Sequence, residues 1–133
     1  MQEAKPPGLT LERLDGRYAV ARLPADSAEP GWARGPFVTV TRTREELSVV
    51  CESARVPATV LAARELDLVR VSGKLDFAVV GVIAGISTVL AEAAVSLFVV
   101  STHDTDYLMW PRARRGDAAR ALSAAGYGWV DPD

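Results

Sequence analysis

The segment SLFVVSTHDTDYLMW, residues 96–110, sets two apolar stretches on either side of six consecutive polar residues. Aromatic and β-branched residues dominate the first stretch, which favours a strand over a helix. A tight hairpin needs only two turn residues and often uses glycine, whereas this connection is longer and contains none. The pattern therefore predicts two strands, Leu97–Ser101 and Tyr107–Pro111, joined by a polar loop with room for a function.

The residues before this segment change in composition. Phe77–Ala94 is rich in Ala, Gly and Leu, and predicts a helix that ends at about Ala93 and begins near Asp76, whose carboxylate would cap it. Apolar residues occur almost all round this helix, so we expect both of its faces to be covered. The run up to Val100 is long enough for a membrane span. Its internal polar residues and its change of composition favour a buried helix followed by a buried strand.

The order of elements predicts the fold class. A strand over Leu66–Val71 precedes the helix, and the two strands are followed by a helix over Gly116–Ala125 and a strand over Tyr127–Val130. This order, β-α-β-β-α-β, is that of the ferredoxin-like unit. The second half of the chain is therefore expected to be an α+β unit.

The first half repeats part of this pattern. Phe37–Thr41 and Leu47–Glu52 predict two strands around a polar turn, and Phe37 aligns with Phe98 and Leu47 with Leu108 without gaps. Asp15-Gly16, between two alternating segments, predicts a further hairpin. We therefore expect tandem units: a flexible tail at 1–8, a degenerate unit at 9–63 and a complete unit at 64–133.

Composition excludes several classes of protein. The chain has 133 residues, a formal net charge of −2 and a single cysteine, Cys51. A nearly balanced charge gives no broad field for nucleic acid or an anionic membrane. One cysteine excludes an internal disulfide and a cysteine-rich zinc site. The first residues lack the pattern of a signal peptide, so we expect a cytoplasmic protein.

Several motifs carry a family resemblance. GKLDF, AGI and FVVSTHDTDYLM in the second half, with GRYAVARL and FVTVTRTREELSVVC upstream, resemble the ACT-domain proteins. More narrowly, the chain resembles small bacterial tandem-ACT proteins related to the arginine-sensing CASTOR proteins. The resemblance implies binding of amino acids or similar small molecules, usually between ACT units, and regulation of enzymes. Trp110 departs from it, because an aliphatic residue is more usual at that position, and so does the short stretch after Gly126.

The elements alone predict a binding site of the same kind. A helix start exposes backbone N–H groups that suit a carboxylate, and a nearby Asp can pair with an ammonium group. In a β-α-β-β-α-β unit, the first helix begins close to the end of the second strand. A second ACT unit, near Val50–Glu52, could close the pocket. The candidate ligand-binding residues are Leu75, Asp76, Phe77, Ala78, Val79, Ser101, Thr102, His103, Asp104, Thr105 and Asp106.

Simpler explanations remain open for these residues. Asp76 could be only a helix cap, Asp104 and Asp106 ordinary turn residues, and Ser101 and Thr102 partners of the loop backbone.

Catalysis and metal binding are less well supported by the sequence. Ser101, His103 and Asp106 spell a catalytic triad, but neighbours on one short loop rarely reach its geometry. His103, Asp104 and Asp106 could supply metal ligands, yet no second His or Cys completes the set. We therefore expect no enzyme, no cofactor and no metal. A structural interaction module without a ligand is the alternative to a sensor.

Assembly is expected as well. The chain carries one complete unit, and Trp110, Tyr127 and Trp129 add apolar surface that needs covering. The sequence therefore predicts a homodimer. A regulated protein, if there is one, would be reached in trans.

Overall fold

The structure is a computed structural model that describes residues 9–72 and 81–133. These residues form a mixed α and β fold. Its elements are β1 (Thr10–Leu23), β2 (Thr39–Arg42), β3 (Leu47–Glu52), β4 (Leu61–Ser72), α1 (Val82–Glu92), β5 (Phe98–Ser101), β6 (Asp106–Pro111), α2 (Arg115–Ala124) and β7 (Gly128–Val130), with 3₁₀ turns at Ser53–Arg55 and Arg112–Arg114. The predicted tail, residues 1–8, lies outside the described residues.

The chain divides into two compact units. The first, which we call the N-unit, comprises Gly16–Leu66. The second, the C-unit, comprises Asp67–Asp133 together with the described residues up to Asp15. Strands β1 and β4 contribute residues to both units. The predicted boundary between residues 63 and 64 stays a prediction.

The C-unit has the element order expected of a ferredoxin-like ACT fold. Its strands follow the order β7-β1-β4-β6-β5. The start of β1 pairs in parallel with β7, with Thr10 opposite Gly128 and Glu12 opposite Val130. An extra strand from earlier in the chain therefore lies beside the last strand of the unit, which the sequence pattern did not predict.

Helix α1 buries one face. Val82, Ile86 and Leu90, spaced by four residues, are buried in the C-unit core, whereas Ala84 and Thr88 are exposed. The prediction that both faces are covered is therefore wrong for the described part of the helix. The reason is that the outer face carries small residues, which leave little apolar area to bury.

The start of α1 also differs from the prediction. The described helix begins at Val82, and its N-cap is Gly81, with φ 85°. The predicted cap, Asp76, lies outside the described residues. Within the helix, Gly85 lies close to the Tyr127 hydroxyl, at which a Cβ on Gly85 would approach to 2.9 Å. A small residue is therefore needed where α1 meets the end of the chain.

The predicted hairpin at Asp15-Gly16 is wrong. Strand β1 runs without interruption from Thr10 to Leu23, and Gly16 lies within it at φ 98°. The two halves of β1 do not pair with each other. Its second half pairs with β3, from Tyr18 opposite Glu52 to Leu23 opposite Leu47. Glycine is needed here for its left-handed conformation rather than for a chain reversal.

The other two predicted hairpins, β2–β3 and β5–β6, are both present and have the same loop length. Arg42 pairs with Leu47 in the N-unit, and Ser101 pairs with Asp106 in the C-unit. Arg42 is therefore the structural equivalent of Ser101, whereas the gapless sequence alignment places Arg42 opposite His103, two residues further on. Because side chains alternate with a period of two, this shift keeps every residue on the expected face.

The N-unit has a separate core. Its strands follow the order β2-β3-β1-β4. Buried residues of β1 and β3, including Leu47, Val49 and Cys51, pack with partly buried residues of the connector between β1 and β2, including Trp32. No α-helix contributes to this core among the described residues.

No helix in the described parts of the chain is long and apolar enough to cross a membrane.

Candidate functional site

The polar loop between β5 and β6 is ordered by its own hydroxyl groups. The Thr102 backbone N–H donates to the Thr105 carbonyl at 2.8 Å, and the Thr102 hydroxyl donates to the same carbonyl at 3.0 Å. The Thr105 N–H donates to the Thr102 hydroxyl at 3.3 Å. At the base of the loop, the Ser101 hydroxyl donates to the Asp106 carboxylate at 2.6 Å. These bonds fix the loop in one turn conformation.

The tip of the loop carries the only histidine of the chain. His103 Nδ1 lies 2.9 Å from an Asp104 carboxylate oxygen, and the two side chains are 88% and 87% exposed. The Ser101 hydroxyl bonds to Asp106 instead, so these four side chains form two separate pairs, Ser101–Asp106 and His103–Asp104. This is not the Ser-His-Asp chain of a catalytic triad, in which the histidine bonds to both partners.

A further bond joins the loop to β4. The Thr105 hydroxyl donates to the carbonyl of Val71, near the end of that strand. The loop therefore lies beside the place where the chain leaves β4 toward α1. The expectation that the first helix begins close to the end of β5 stays a prediction.

The other predicted residues, Leu75 to Val79, lie outside the described residues. Their part in the site stays a prediction. In the described ranges, no group of three His, Cys, Asp or Glu side chains is placed to hold a metal ion.

A buried ion pair fixes the second helix of the C-unit. Asp67 of β4 is fully buried and accepts two hydrogen bonds from Arg115, at 2.8 and 2.7 Å. Arg115 is the first residue of α2, and the hydrogen bond to Asp67 raises the pKa of its guanidinium. A cation is disfavoured at a helix N-terminus. The Asp67 carboxylate compensates for that position and ties α2 to the sheet.

The N-unit contains a cavity that the sequence did not reveal. Its volume is about 360 Å³, and its lining residues are Arg17, Glu52, Ser53, Ala54, Arg64 and Glu65. These residues come from three segments that β-sheet pairing brings together. Charged residues are common throughout the chain, so no signal in the sequence separated these from ordinary surface residues.

Ser53 is the buried polar residue of this cavity. Its hydroxyl donates to the Tyr18 carbonyl at 3.0 Å and accepts from the Glu65 N–H at 3.0 Å. Glu65 has φ 56°, a left-handed backbone conformation that is unfavourable for a residue with a side chain. The Ser53 hydrogen bond is one of the contacts that hold it there.

Family models match both parts of the chain. Residues 64–124 match the ACT domain, and residues 16–59 match a model described as the N-terminal domain of one protein family. No curated protein gives a significant sequence match.

Solved structures extend these matches. Protein Atu0741 from Agobacterium tumefaciens is 33% identical, with 96% of each chain covered and a TM-score of 0.90. Protein VC0802 from Vibrio cholerae is 22% identical, with 88% of this chain and 89% of that chain covered and a TM-score of 0.73. The regulatory subunit of aspartate kinase from Thermus flavus is 13% identical, with 89% and 96% covered and a TM-score of 0.56. The last two similarities concern the fold alone.

Sequence and structure therefore agree along nearly the whole chain with the Agobacterium protein. The chain belongs to the same family as Atu0741, and its residues 64–124 form an ACT domain.

Proposed function

We propose that the protein is a cytoplasmic sensor that binds an amino acid or a related metabolite and has no catalytic activity of its own. The observation that carries this proposal is the ACT domain at residues 64–124, with a polar loop at the end of its second strand. ACT domains with regulatory roles, as in the aspartate kinase subunit, share this fold. The resemblance to arginine-sensing CASTOR proteins makes arginine the first ligand to test.

The proposed site lies between the β5–β6 loop and the segment Leu75–Val79. The loop offers hydroxyl groups at Ser101 and Thr102, and an exposed carboxylate at Asp104. The bond from Thr105 to Val71 supports this choice, because it keeps the loop near the end of β4, the strand that precedes Leu75–Val79 in the sequence. The ligand carboxylate would take backbone N–H groups of residues 75–79, and its ammonium would meet Asp76 or Asp104.

Binding can be tested without knowing the ligand. The twenty amino acids are first compared by thermal shift, because a ligand specific for the folded state raises its stability. The best ligand is then titrated by calorimetry into wild type, Asp76→Asn and Asp104→Asn. The substitution of the aspartate that meets the ammonium removes a charge-assisted hydrogen bond, worth roughly 1.5–3 kcal/mol, and should weaken binding by about tenfold or more.

A matched control uses Asp26→Asn, an exposed residue of the N-unit, which should bind as wild type does. Asparagine keeps the size of aspartate and one carbonyl acceptor at each position, so a loss of affinity would report the lost negative charge. If both site variants bind the ligand as tightly as wild type, the site is elsewhere. If no amino acid or related metabolite binds, the alternative of a structural interaction module is favoured.

We also propose that the protein is a homodimer. The C-unit is one ACT domain, and ACT sites commonly form between two such units. Strand β5 carries Phe98 and Val99, which remain 39% and 40% exposed. Light scattering at micromolar concentration should give twice the mass of the chain. A monomer, both with and without ligand, would contradict this proposal. A protein regulated in trans would be sought with the ligand-bound dimer.

A further inference from the structure

Most of the residues that line the N-unit cavity lie outside the ACT domain. Of its lining residues, Arg17, Glu52, Ser53 and Ala54 precede residue 64, where the ACT match begins. Its volume of about 360 Å³ is sufficient for a small metabolite. None of its lining residues belongs to the β5–β6 loop or to Leu75–Val79, between which the first site is proposed. A ligand in this cavity would therefore contact residues that the first site does not use.

Arg64 supplies a fixed positive charge at the cavity wall. Its guanidinium donates to three backbone carbonyls of the preceding segment, those of Val56, Pro57 and Val60, at 3.1, 2.7 and 2.8 Å. No carboxylate within residues 9–72 and 81–133 forms an ion pair with it. Because these bonds use three of the five N–H groups, the guanidinium retains donors for a further acceptor. The side chain is thus held in place, and no carboxylate of the described residues neutralises its charge.

Two carboxylates line the same cavity. Glu52 accepts from Arg55 Nε at 3.0 Å and lies against Gly35, where a Cβ would approach its carboxylate to 2.9 Å. Glu65 accepts from Arg17 at 2.8 Å, and both of these side chains are about half exposed. The Arg17–Glu65 pair is accessible to solvent, so its members can exchange partners with a ligand at little cost.

The backbone at Glu65 is a second, independent indication. A left-handed conformation would suit glycine, yet the chain has a glutamate at this position, held by the Ser53 hydroxyl. Strain of this kind persists where the surroundings impose it, and it is concentrated at functional sites. The strained residue also brings one of the two carboxylates to the cavity.

We propose that this cavity is a second ligand site, specific for a small zwitterion that carries a carboxylate and an ammonium group. The ligand carboxylate bonds to Arg64 and Arg17, and the ammonium bonds to Glu65 and Glu52. A purely anionic ligand would face both glutamates, and a purely cationic one would face both arginines. Only a ligand with both charges matches the full set of lining groups.

The experiment is an NMR titration of ¹⁵N-labelled protein with L-alanine, L-glutamine and L-arginine, which share the zwitterionic group and differ in side-chain length. We expect at least one to shift the amide signals of Ser53, Ala54 and Glu65 in a saturable manner. N-acetyl-L-alanine lacks the ammonium and L-alanine methyl ester lacks the carboxylate. Each should bind at least about tenfold more weakly than L-alanine. If L-glutamine or L-arginine binds best, the N-acetyl and methyl ester derivatives of that amino acid are compared with it instead.

Three variants test the assignment of charges. Arg17→Gln and Glu65→Gln should each weaken the titration of these amides by about tenfold, which corresponds to one lost charge-assisted bond. Glu29→Gln, an exposed residue of the same unit that does not line the cavity, is the matched control. Glu65→Gly relieves the backbone strain, so we expect it to raise the Tm while it weakens binding. This variant separates loss of the site from loss of folding.

The proposal is overturned if none of the three probes shifts the amide signals of Ser53, Ala54 and Glu65 in a saturable manner. It is also overturned if the two derivatives bind as tightly as the free amino acid. The same holds if Arg17→Gln and Glu65→Gln bind that amino acid as tightly as wild type does. Shifts confined to Ser101–Asp106 would support the ACT site and refute this one. Shifts confined to residues 52–54 and 64–65 would support the cavity alone. The two sites therefore succeed or fail separately.

Discussion

The two hairpins of this chain begin alike and then diverge. Each has two strands joined by a four-residue turn, and each is followed by a 3₁₀ turn, at Ser53–Arg55 and at Arg112–Arg114. In the C-unit the chain continues directly into helix α2. In the N-unit it passes through a short segment into β4 and forms no α-helix. The same strand–turn–strand pattern therefore occurs in two kinds of unit. Helices pack on the sheet in the C-unit, and an irregular connector packs on it in the N-unit.

The covering layers explain the different character of the two cores. The C-unit buries large residues from its strands and both helices, including Leu90, Trp110 and Leu122. The N-unit buries smaller residues, such as Ala19, Ala21 and Cys51, and a connector with Trp32 packs against them. Helices bring long apolar side chains to a sheet, whereas an irregular connector brings few. Among the described residues, the N-unit core is therefore smaller than the C-unit core.

The first prediction compares an ion pair from each unit. Arg115→Met leaves the fully buried Asp67 without the partner that holds it in the C-unit. We expect a loss of about 3 kcal/mol, at the low end for a broken buried pair, because the Arg115 side chain is 31% exposed. Arg17→Met, which breaks the exposed Glu65 pair, should cost less than about 1 kcal/mol. Urea denaturation measures both.

A double variant sharpens this comparison. Asp67→Leu with Arg115→Met replaces the whole pair by apolar groups, which is often nearly neutral. It should recover at least half of the stability lost in Arg115→Met. Equal losses for Arg115→Met and Arg17→Met would show that the Asp67 pair is not a buried anchor.

The second prediction compares buried polar groups. Ser53 in the N-unit makes two hydrogen bonds, whereas the buried Trp110 Nε1 in the C-unit has no hydrogen-bond partner among the described residues. Ser53→Ala leaves a carbonyl and an N–H unpaired and should cost about 2 kcal/mol. Trp110→Phe weakens the stacking on Trp129, but it also removes a buried donor that has no partner among the described residues. Because these two effects oppose each other, the free energy of unfolding should change by less than about 1 kcal/mol. Thermal unfolding distinguishes these outcomes, and the reverse order would contradict this explanation.

The third prediction compares the two turns. The Thr43 hydroxyl accepts from the N–H groups of Glu45 and Glu46, both at 3.1 Å, while the Thr102 hydroxyl accepts from one N–H, at 3.3 Å. Thr43→Ala should therefore cost about 1 kcal/mol and Thr102→Ala about half as much. For ligand binding the order reverses, because only Thr102 belongs to the proposed ACT site. Calorimetry with the best amino acid should show weaker binding for Thr102→Ala alone, and equal affinities would count against the loop.

The smallest expected effect concerns acid. Arg13 donates a hydrogen bond to Asp131 and holds the pKa of that carboxyl below its ordinary value of 3.8, and the Trp129 N–H contributes. The stability from this pair is present above the unfolded pKa and is lost as pH falls through the lower, folded one. Asp131 is more than half exposed, so the contribution is a few tenths of a kcal/mol at most. Asp131→Asn should reduce the difference between urea midpoints at pH 7 and pH 3, and Asp26→Asn should reduce it less.

Local patterns predicted much of this fold. Strand β3 has the predicted bounds, Leu47–Glu52, and the β-α-β-β-α-β order of the C-unit follows from the composition and pattern of each segment. These features depend on neighbours in the sequence. The Asp15-Gly16 hairpin was wrong because a left-handed glycine also occurs inside a long strand, and only the pairing with distant β3 and β7 decides between the two.

The sites were less predictable for the same reason. The β5–β6 loop could be identified because its six polar residues are consecutive. The N-unit cavity could not, since Arg17, Glu52 and Arg64 meet only after β1, β3 and β4 pair. The one-sided burial of α1 was also missed, because an Ala- and Gly-rich face looks apolar in sequence but presents little area to bury.

The central claim, that the ACT domain binds an amino acid at the β5–β6 loop, is tested most directly by amide NMR spectra of the protein with its most stabilising amino acid. The account predicts saturable shifts of the amides of Ser101–Asp106, with the same half-saturation concentration as the calorimetric Kd and a weaker response in Asp104→Asn. Saturation of the protein by that ligand with all six amides unmoved would contradict it.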